Sequence, residues 1–508
     1  MNSANKVALN TSILYIRMVL TVGISLYATR LVLNALGEVD YGIFNLVAGV
    51  IGMLAFLNYA MSTSTQRYLS FHHGRKDVPM QKRVFTNSIL LHIILGMIVV
   101  LCLEIAGFFL FDDFLNIPLN RIAAAKTIYH FMSVTVFFTI TSVPFTGTLN
   151  AYENMLWVAI VNTIEAFSKI AIAGVLLILD SDKLVAFGLL TACMSVVSFS
   201  LYAFYCFRKY EICSLENLWV ADKELMKELT SFAGWNLFGS LCTIARAQGL
   251  AVLLNLFLGA VINAAYAIAN QVATQLNFFS VTMLRAINPQ IMKSEGANDR
   301  ARMLRLSMMG SKFSFFLLAF IAIPCIFEMP AILTFWLKNV PDYTIVFCRL
   351  ILIGSLLNQQ TISLFSAIQA VGNVKRYQIV VGFILLCNIP LSYLLLHLKY
   401  PPHYILYGYI GIEMIATFFR VILIKRATGL SIKAYFERVL LKELVPMIVI
   451  VSVCFVITQF ISWDFRFVLT FGFSISAFLL SIYLTGLCED EKEMIHSAAS
   501  KILGKFKK

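Results

Sequence analysis

Five cations lie within segments whose apolar composition is typical of membrane-spanning helices: Arg17, Arg30, Lys169, Arg246 and Arg349. An ionised side chain near the bilayer centre costs about 2.5–3.5 kcal/mol on insertion scales, so such residues usually face a bundle interior or a wet cavity. Guanidinium groups match the geometry of phosphate and pyrophosphate. These cations therefore predict a positively biased cavity that binds an anionic substrate.

Carboxylates within the predicted membrane-spanning segments are fewer than cations. Glu104, Glu165 and Glu413 are the candidates for binding H⁺ or Na⁺ as a coupling ion. Glu165 and Lys169 are four residues apart, so a structural ion pair between them is the alternative to a role in transport.

Position along a span gives other charges a simpler explanation. Arg30, Glu104 and Arg349 lie toward the outer ends of their spans, where contact with lipid headgroups is the alternative to lining a cavity. Lys312 lies near an inner end, and its long side chain is expected to reach the aqueous boundary. Arg17 and Arg246 each lie at least two turns inside their spans and have no such explanation.

Polar residues recur at helical spacing on three of the spans, here numbered in chain order. Span seven carries Asn236, Ser240, Thr243 and Arg246, span eight carries Asn263, Asn270, Thr274 and Asn277, and span ten carries Arg349, Gln359, Gln360 and Ser363. One such residue usually joins neighbouring helices, whereas several on one face favour a wet wall. Asn270 and Gln360 are therefore added to the predicted substrate-binding residues.

The sequence offers no pattern for catalysis or metal binding. The ten cysteines form no CxxC pair, and the seven histidines are scattered. No nucleophile–base arrangement is visible, so we predict no catalytic residues, no metal, no cofactor and no enzyme activity.

Composition sets the fold class. Hydrophobic residues make up 59% of the chain and charged residues only 13%, against about 25% charged in soluble domains. Apolar runs of about 20 residues, each able to cross the hydrocarbon core as a helix, begin near residues 9, 42, 85, 124, 155, 184, 229, 262, 309, 343, 378, 404, 443 and 467. We therefore predict an all-α polytopic membrane protein with 14 transmembrane helices.

The distribution of cations sets the orientation. Most of the 40 Lys and Arg residues fall in segments on the same side as the N-terminus, which predicts that both termini are cytoplasmic. The net charge of +13 then follows from topology and contact with anionic membrane lipids, and nucleic acid is not an expected partner. The first span carries Arg17 and Arg30 and is expected to remain as a span rather than to be cleaved as a signal.

Two phrases repeat at an offset of about 220 residues. The skeleton LGxV followed by YxIxNxV occurs in 36–47 and again in 258–272, each time between two spans. A second echo joins 145–154 to 365–373. A repeat at this distance predicts two pseudo-symmetric lobes of six helices each, and an even number of spans makes the repeat parallel.

The predicted organisation has five parts. They are an N-lobe with spans one to six (1–210), a cytoplasmic linker (211–228), a C-lobe with spans seven to twelve (229–426), an amphipathic segment with spans thirteen and fourteen (427–487) and a cytoplasmic tail (488–508).

The turn Leu36–Ile43 resembles the LG-x-x-x-(Y/F)-G turn of polysaccharide flippases, which belong to the multidrug/oligosaccharidyl-lipid/polysaccharide (MOP) exporter superfamily. Arg30 before the turn and Gln66-Arg67 at the end of span two match the same pattern. The resemblance implies a fold like that of the multidrug and toxic compound extrusion (MATE) transporters. It also implies a bacterial inner-membrane flippase that moves an undecaprenyl-pyrophosphate-linked oligosaccharide to the outer leaflet by alternating access through a cationic cavity.

Three other functions remain open. A cation-coupled multidrug exporter of the same superfamily commonly needs acids in the first lobe, and span one has none. The sequence separates a flippase of the lipid II type only poorly from a flippase of lipid-linked oligosaccharides. A membrane-embedded glycan-processing enzyme would need a large loop or clustered acids, and neither is visible. The glycan, the oligomeric state and the choice between a coupling ion and the membrane potential are not fixed by the sequence.

Overall fold

The computed structural model describes residues 3–52, 55–111, 117–215, 222–463 and 465–493. Helices hold most of them, and the described residues include no β-strand. The bounds of the first nine helices are α1 Ser3–Leu36, α2 Glu38–Gly52, α3 Ala55–Gly74, α4 Val78–Phe109, α5 Ile122–Thr141, α6 Val143–Ala151, α7 Met155–Ile178, α8 Lys183–Lys209 and α9 Lys223–Leu258. The other nine are α10 Ala260–Gly296, α11 Arg300–Leu337, α12 Thr344–Val371, α13 Lys375–Leu386, α14 Asn388–His397, α15 His403–Thr428, α16 Ile432–Tyr435, α17 Leu441–Phe460 and α18 Arg466–Ser481.

Eleven helical segments of the described residues are long and apolar enough to cross a membrane. The other three predicted spans fall on α1, on α2 with α3, and on α10. The chain is therefore an all-α, multi-pass membrane protein, as its composition predicts. Most of the predicted cytoplasmic tail and part of the predicted linker lie outside the described residues.

The described chain divides into two compact units. The first unit runs from Leu9 to Leu237, and the second takes the described residues from Phe238 onward together with those up to Ala8. The boundary between the units falls within α9. The lobe limits drawn from the sequence, which end the N-lobe at 210, stay a prediction.

Each unit has its own apolar core. In the first unit, α2, α4, α5 and α8 bury a cluster that includes Val47, Leu103, Ile128 and Leu184. In the second unit, α9 to α12 pack with α15, α17 and α18 around residues such as Leu318, Phe347 and Phe478.

The repeated LGxV phrase has the same local structure in both places. Gly37 separates α1 from α2 with φ +81°, and Gly259 separates α9 from α10 with φ +83°. The amide of Gly37 donates to Leu33 O (2.9 Å), and that of Gly259 donates to Asn255 O (2.9 Å). A single residue with positive φ is tolerated best as glycine, which explains why the repeat keeps it.

Two buried ion pairs join α11 to the C-terminal part of the second unit. Glu328 is 1% exposed, and its carboxylate accepts hydrogen bonds from Arg466 Nε at 2.9 Å and from Arg466 Nη2 at 3.1 Å. Lys312, 0% exposed, donates from Nζ to Glu491 Oε2 at 2.5 Å. The expectation that Lys312 reaches the aqueous boundary is wrong, because residues that follow α18 fold back and cover its ammonium group.

An arginine joins three helix starts in the first unit. Arg121 donates to Asp40 Oδ1 (2.8 Å) and Oδ2 (2.6 Å), and to Asp182 Oδ2 (2.6 Å). Asp40 lies in the turn that resembles the flippase pattern, and Asp182 caps the start of α8. The guanidinium beside Asp182 holds the pKa of that carboxyl below its usual value. This contact fixes the turn between α1 and α2 against the starts of α5 and α8.

Candidate functional site

The first unit contains a cavity of about 490 Å³. Its wall is built from stripes at helical spacing, for example 25, 28, 29 and 32 on α1 and 191, 195, 198 and 202 on α8. Both Glu165 and Lys169 of α7 line it, and they are the two ionisable groups of opposite charge in the wall. The sequence predicted both residues, and the fold brings them into one cavity.

Hydroxyl groups dominate the polar part of this wall. They belong to Ser25, Thr29, Tyr41, Thr135, Thr139, Ser142, Thr191, Ser195, Ser198 and Tyr202. Several donate to carbonyls of their own helices, for example Thr139 to Thr135 O at 2.8 Å and Thr191 to Phe187 O at 2.8 Å. A hydroxyl whose hydrogen is used in this way still offers its oxygen as an acceptor.

The other predicted residues of the first unit lie in different surroundings. Arg17 is partly buried on α1 and is not one of the residues that line the cavity. Arg30 is exposed. Glu104 Oε2 lies 2.7 Å from His130 Nδ1. Neither Arg30 nor Glu104 lines the cavity, so the fold brings together only part of the predicted set.

The second unit contains a buried charge cluster centred on Glu413, which is 0% exposed. Its Oε2 accepts from Arg246 Nη1 at 2.8 Å, and its Oε1 accepts from Arg420 Nη1 at 2.7 Å and from Asn358 Nδ2 at 3.0 Å. The Arg246 guanidinium also lies 4.8 Å from the ring centre of Tyr409. Two cations against one anion give this cluster an excess of one positive charge.

Arg420 was missed by the sequence reasoning. It lies seven residues after Glu413 and eleven after Tyr409, so all three share one face of α15. That spacing was a usable signal, but Arg420 stands near the end of its span and was not counted among the deep charges.

Three consecutive amides of α12 reach three different helices. Asn358 contacts Glu413 of α15, Gln359 Nε2 donates to Asn277 Oδ1 of α10 at 2.8 Å, and Gln360 Nε2 lies 3.5 Å from Glu443 Oε2 of α17. Consecutive helical residues point about 100° apart, so they fan out instead of forming one wall. Gln360 therefore faces α17.

Arg349 and Asn270 both donate to backbone carbonyls. Arg349 Nε donates to Ile326 O of α11 at 2.8 Å. Pro330 lies four residues after Ile326 and has no N–H, so it leaves this carbonyl without its helical donor, and Arg349 replaces it. Asn270 Nδ2 donates to Tyr266 O of its own helix at 2.9 Å. Their predicted contact with substrate stays a prediction beside these structural contacts.

No group of three or more His, Cys, Asp or Glu among the described residues could hold a metal ion.

Comparison of the sequence with known families finds a match. The sequence model of the family described as "Polysaccharide biosynthesis protein" matches residues 5–295, more than half of the chain. The chain belongs to this family. The resemblance noted in the turn after span one is thereby confirmed. A comparison with curated protein sequences finds no match.

Solved structures of transporters share the fold of this family member. A MATE transporter in its bent conformation has a TM-score of 0.74 at 13% identity, covering 85% of this chain and 98% of the other. A MOP superfamily transporter from Pyrococcus furiosus, whose title reports a reversed polarity of the binding pocket, has a TM-score of 0.72 at 14% identity, covering 86% and 97%. An outward-facing multidrug resistance MATE transporter has a TM-score of 0.72 at 13% identity, covering 84% and 96%.

At these identities the structures show the fold, and they confirm the MATE-like fold class predicted for the chain. The solved structures that share this fold are those of transporters.

Proposed function

We propose that the chain is a flippase that moves a polyprenyl-pyrophosphate-linked oligosaccharide from the inner to the outer leaflet of the bacterial inner membrane, with both termini cytoplasmic. Membership of the polysaccharide biosynthesis family supports this assignment. The observation that carries it is the hydroxyl-lined cavity of the first unit, with Lys169 in its wall.

The chemistry of the wall suits a carbohydrate. Sugar hydroxyls need acceptors, and wall hydroxyls that already donate to their own helices provide acceptor oxygens. Ser198 adds a buried hydroxyl that has no partner among the described residues. Neutral acceptors bind many different sugars, whereas an apolar wall would leave the sugar hydroxyls unsatisfied.

The cations suit the pyrophosphate. Lys169 lines the first-unit cavity, and the second unit holds the cluster of Arg246, Arg420 and Glu413 with its excess positive charge. Outward movement of an anion across an inside-negative membrane gains about 2.3 kcal/mol per charge at 100 mV. Membrane potential can therefore drive the step without a coupling ion.

Replacement of Lys169 by Gln tests the assignment. The variant keeps a polar side chain and loses the charge that binds phosphate. Because a hydrogen bond to a charged group contributes about 1.5–3 kcal/mol, the flipping rate should fall roughly tenfold or more. The readout is transfer of a fluorescent polyprenyl-pyrophosphate oligosaccharide in proteoliposomes. Lys183→Gln, at the start of α8 and outside the cavity wall, is the matched control; equal rates for Lys169→Gln and wild type would contradict the assignment.

The carboxyl of Glu165 supports a second candidate, a cation-coupled multidrug exporter, because an acid in the cavity can bind a cationic drug or a coupling ion. Glu165→Gln separates the two candidates. A flippase should keep oligosaccharide transfer in this variant, whereas an exporter should lose efflux of a cationic dye.

A further inference from the structure

Glu443 is a buried carboxyl that lacks the partners of an ion. It is the third residue of α17 and is 2% exposed. Its Oε2 lies 3.5 Å from Gln360 Nε2, at the limit of a hydrogen bond, and its Oε1 has no hydrogen-bond partner among the described residues.

Glu413 and Glu328, two other buried acids of the same unit, have many more hydrogen-bond donors than Glu443. Both oxygens of Glu413 accept from arginine, and both oxygens of Glu328 accept from Arg466, with Thr470 Oγ1 adding a donor at 2.7 Å. An ionised carboxylate removed from water needs such donors, whereas a neutral carboxylic acid does not. The surroundings of Glu443 are those of a neutral acid.

The charged groups around Glu443 are already engaged. Lys312 of α11 acts on it electrostatically, but the Lys312 ammonium is bound to Glu491 at 2.5 Å. The neutral phenol of Tyr435 on α16 donates to Gln360 O at 3.1 Å. Glu491 Oε2 also accepts from the amide of Cys488 at 2.8 Å. Among the other elements packed on α17, Arg466 of α18 binds Glu328. Glu437 and Arg438 are exposed; Glu437 contacts Lys433, and Arg438 contacts Asp490.

We propose that Glu443 is a proton-binding site that controls the partner of Lys312. With its proton on, Glu443 is neutral and Lys312 binds Glu491. Loss of the proton to solvent breaks the O–H bond and leaves a carboxylate that competes for Lys312. The ammonium then moves toward Glu443, and Glu491 and the turn after Cys488 are released. Proton binding at Glu443 does not depend on which cargo the chain carries.

Infrared difference spectroscopy of the full chain in lipid tests the proton directly. A buried protonated carboxyl gives a C=O stretching band that shifts in heavy water. The band should be present in the wild type and in Glu437→Gln, which makes the same chemical change at an exposed position six residues earlier. It should be missing in Glu443→Gln. A spectrum of Glu443→Gln that keeps every carboxyl band of the wild type would overturn the proposal.

Thermal unfolding and amide exchange complete the test. Glu443→Gln should melt at the wild-type temperature, because the neutral acid and the amide are alike. A fall as large as that of Glu328→Gln would show that Glu443 is ionised and paired, and would sink the proposal. Deuterium exchange of the backbone amides in 487–493 should become faster in the wild type than in Glu443→Gln as pH rises. Identical deuterium exchange rates in both proteins at every pH would refute the proposed change of partner of Lys312 from Glu491 to Glu443.

Discussion

Replacement of Glu413 by Gln is expected to destabilise the second unit more than any other single change proposed for this chain. The variant leaves Arg246 and Arg420 buried with no compensating charge, their side chains being 11% and 6% exposed. Loss of one partner of a buried ion pair costs about 3–5 kcal/mol, a large part of the roughly 5–15 kcal/mol that stabilises a typical protein. We expect a large drop in melting temperature or no folded protein, measured by size-exclusion chromatography after heating.

A compensating variant separates charge from packing. The double variant Glu413→Gln with Arg246→Met removes one of the orphaned cations and fills its space with an apolar side chain, so it should recover part of the lost stability. Glu437→Gln, at an exposed carboxyl of the same unit, should change stability by less than about 1 kcal/mol. A Glu413→Gln protein that melts with the wild type would contradict the interpretation of the cluster as a buried ion network.

The second large effect is expected at Glu328. This carboxylate holds α18 to α11 through Arg466, whose side chain is 29% exposed and also donates to Thr458 O at 3.1 Å. Water can reach the arginine when its partner is removed, so Glu328→Gln should cost about 3 kcal/mol, at the lower end of the range for a buried pair. The measurement is the melting temperature of the purified full chain.

The control at this second site is Thr470→Val. It removes one hydrogen bond to Glu328 but leaves the ion pair intact, so a cost of about 1 kcal/mol is expected. If Glu328→Gln were no more harmful than Thr470→Val, the ion pair would not be what holds α18 in place.

Much of the fold follows from local rules that the sequence displays. Apolar runs long enough to span a membrane predict the helices. The repeated glycines have a local reason, because Gly37 and Gly259 are each the single residue between two consecutive helices and both have positive φ. The cost of burying charge correctly directs attention to Arg246 and Glu413, which the fold pairs.

The choice of partner between helices could not be predicted. Helical periodicity gives the direction of a side chain but not the neighbour it meets. Gln360 reaches Glu443, and Arg349 reaches a carbonyl that Pro330 leaves free, although both residues look like members of one polar stripe in the sequence. Glu443 stands at the predicted start of span thirteen, and nothing local reveals that residues after α18 return to cover that region.

The most direct test of the proposed function is transfer of the lipid-linked oligosaccharide by the purified wild-type chain. Proteoliposomes carry a fluorescent polyprenyl-pyrophosphate oligosaccharide, and a membrane-impermeant quencher reports how much of it lies in the outer leaflet. The proposed function predicts that the protein makes the inner-leaflet pool accessible, faster under an imposed potential that pulls the anion outward, and that protein-free vesicles do not. Equal accessibility with and without the protein would contradict it.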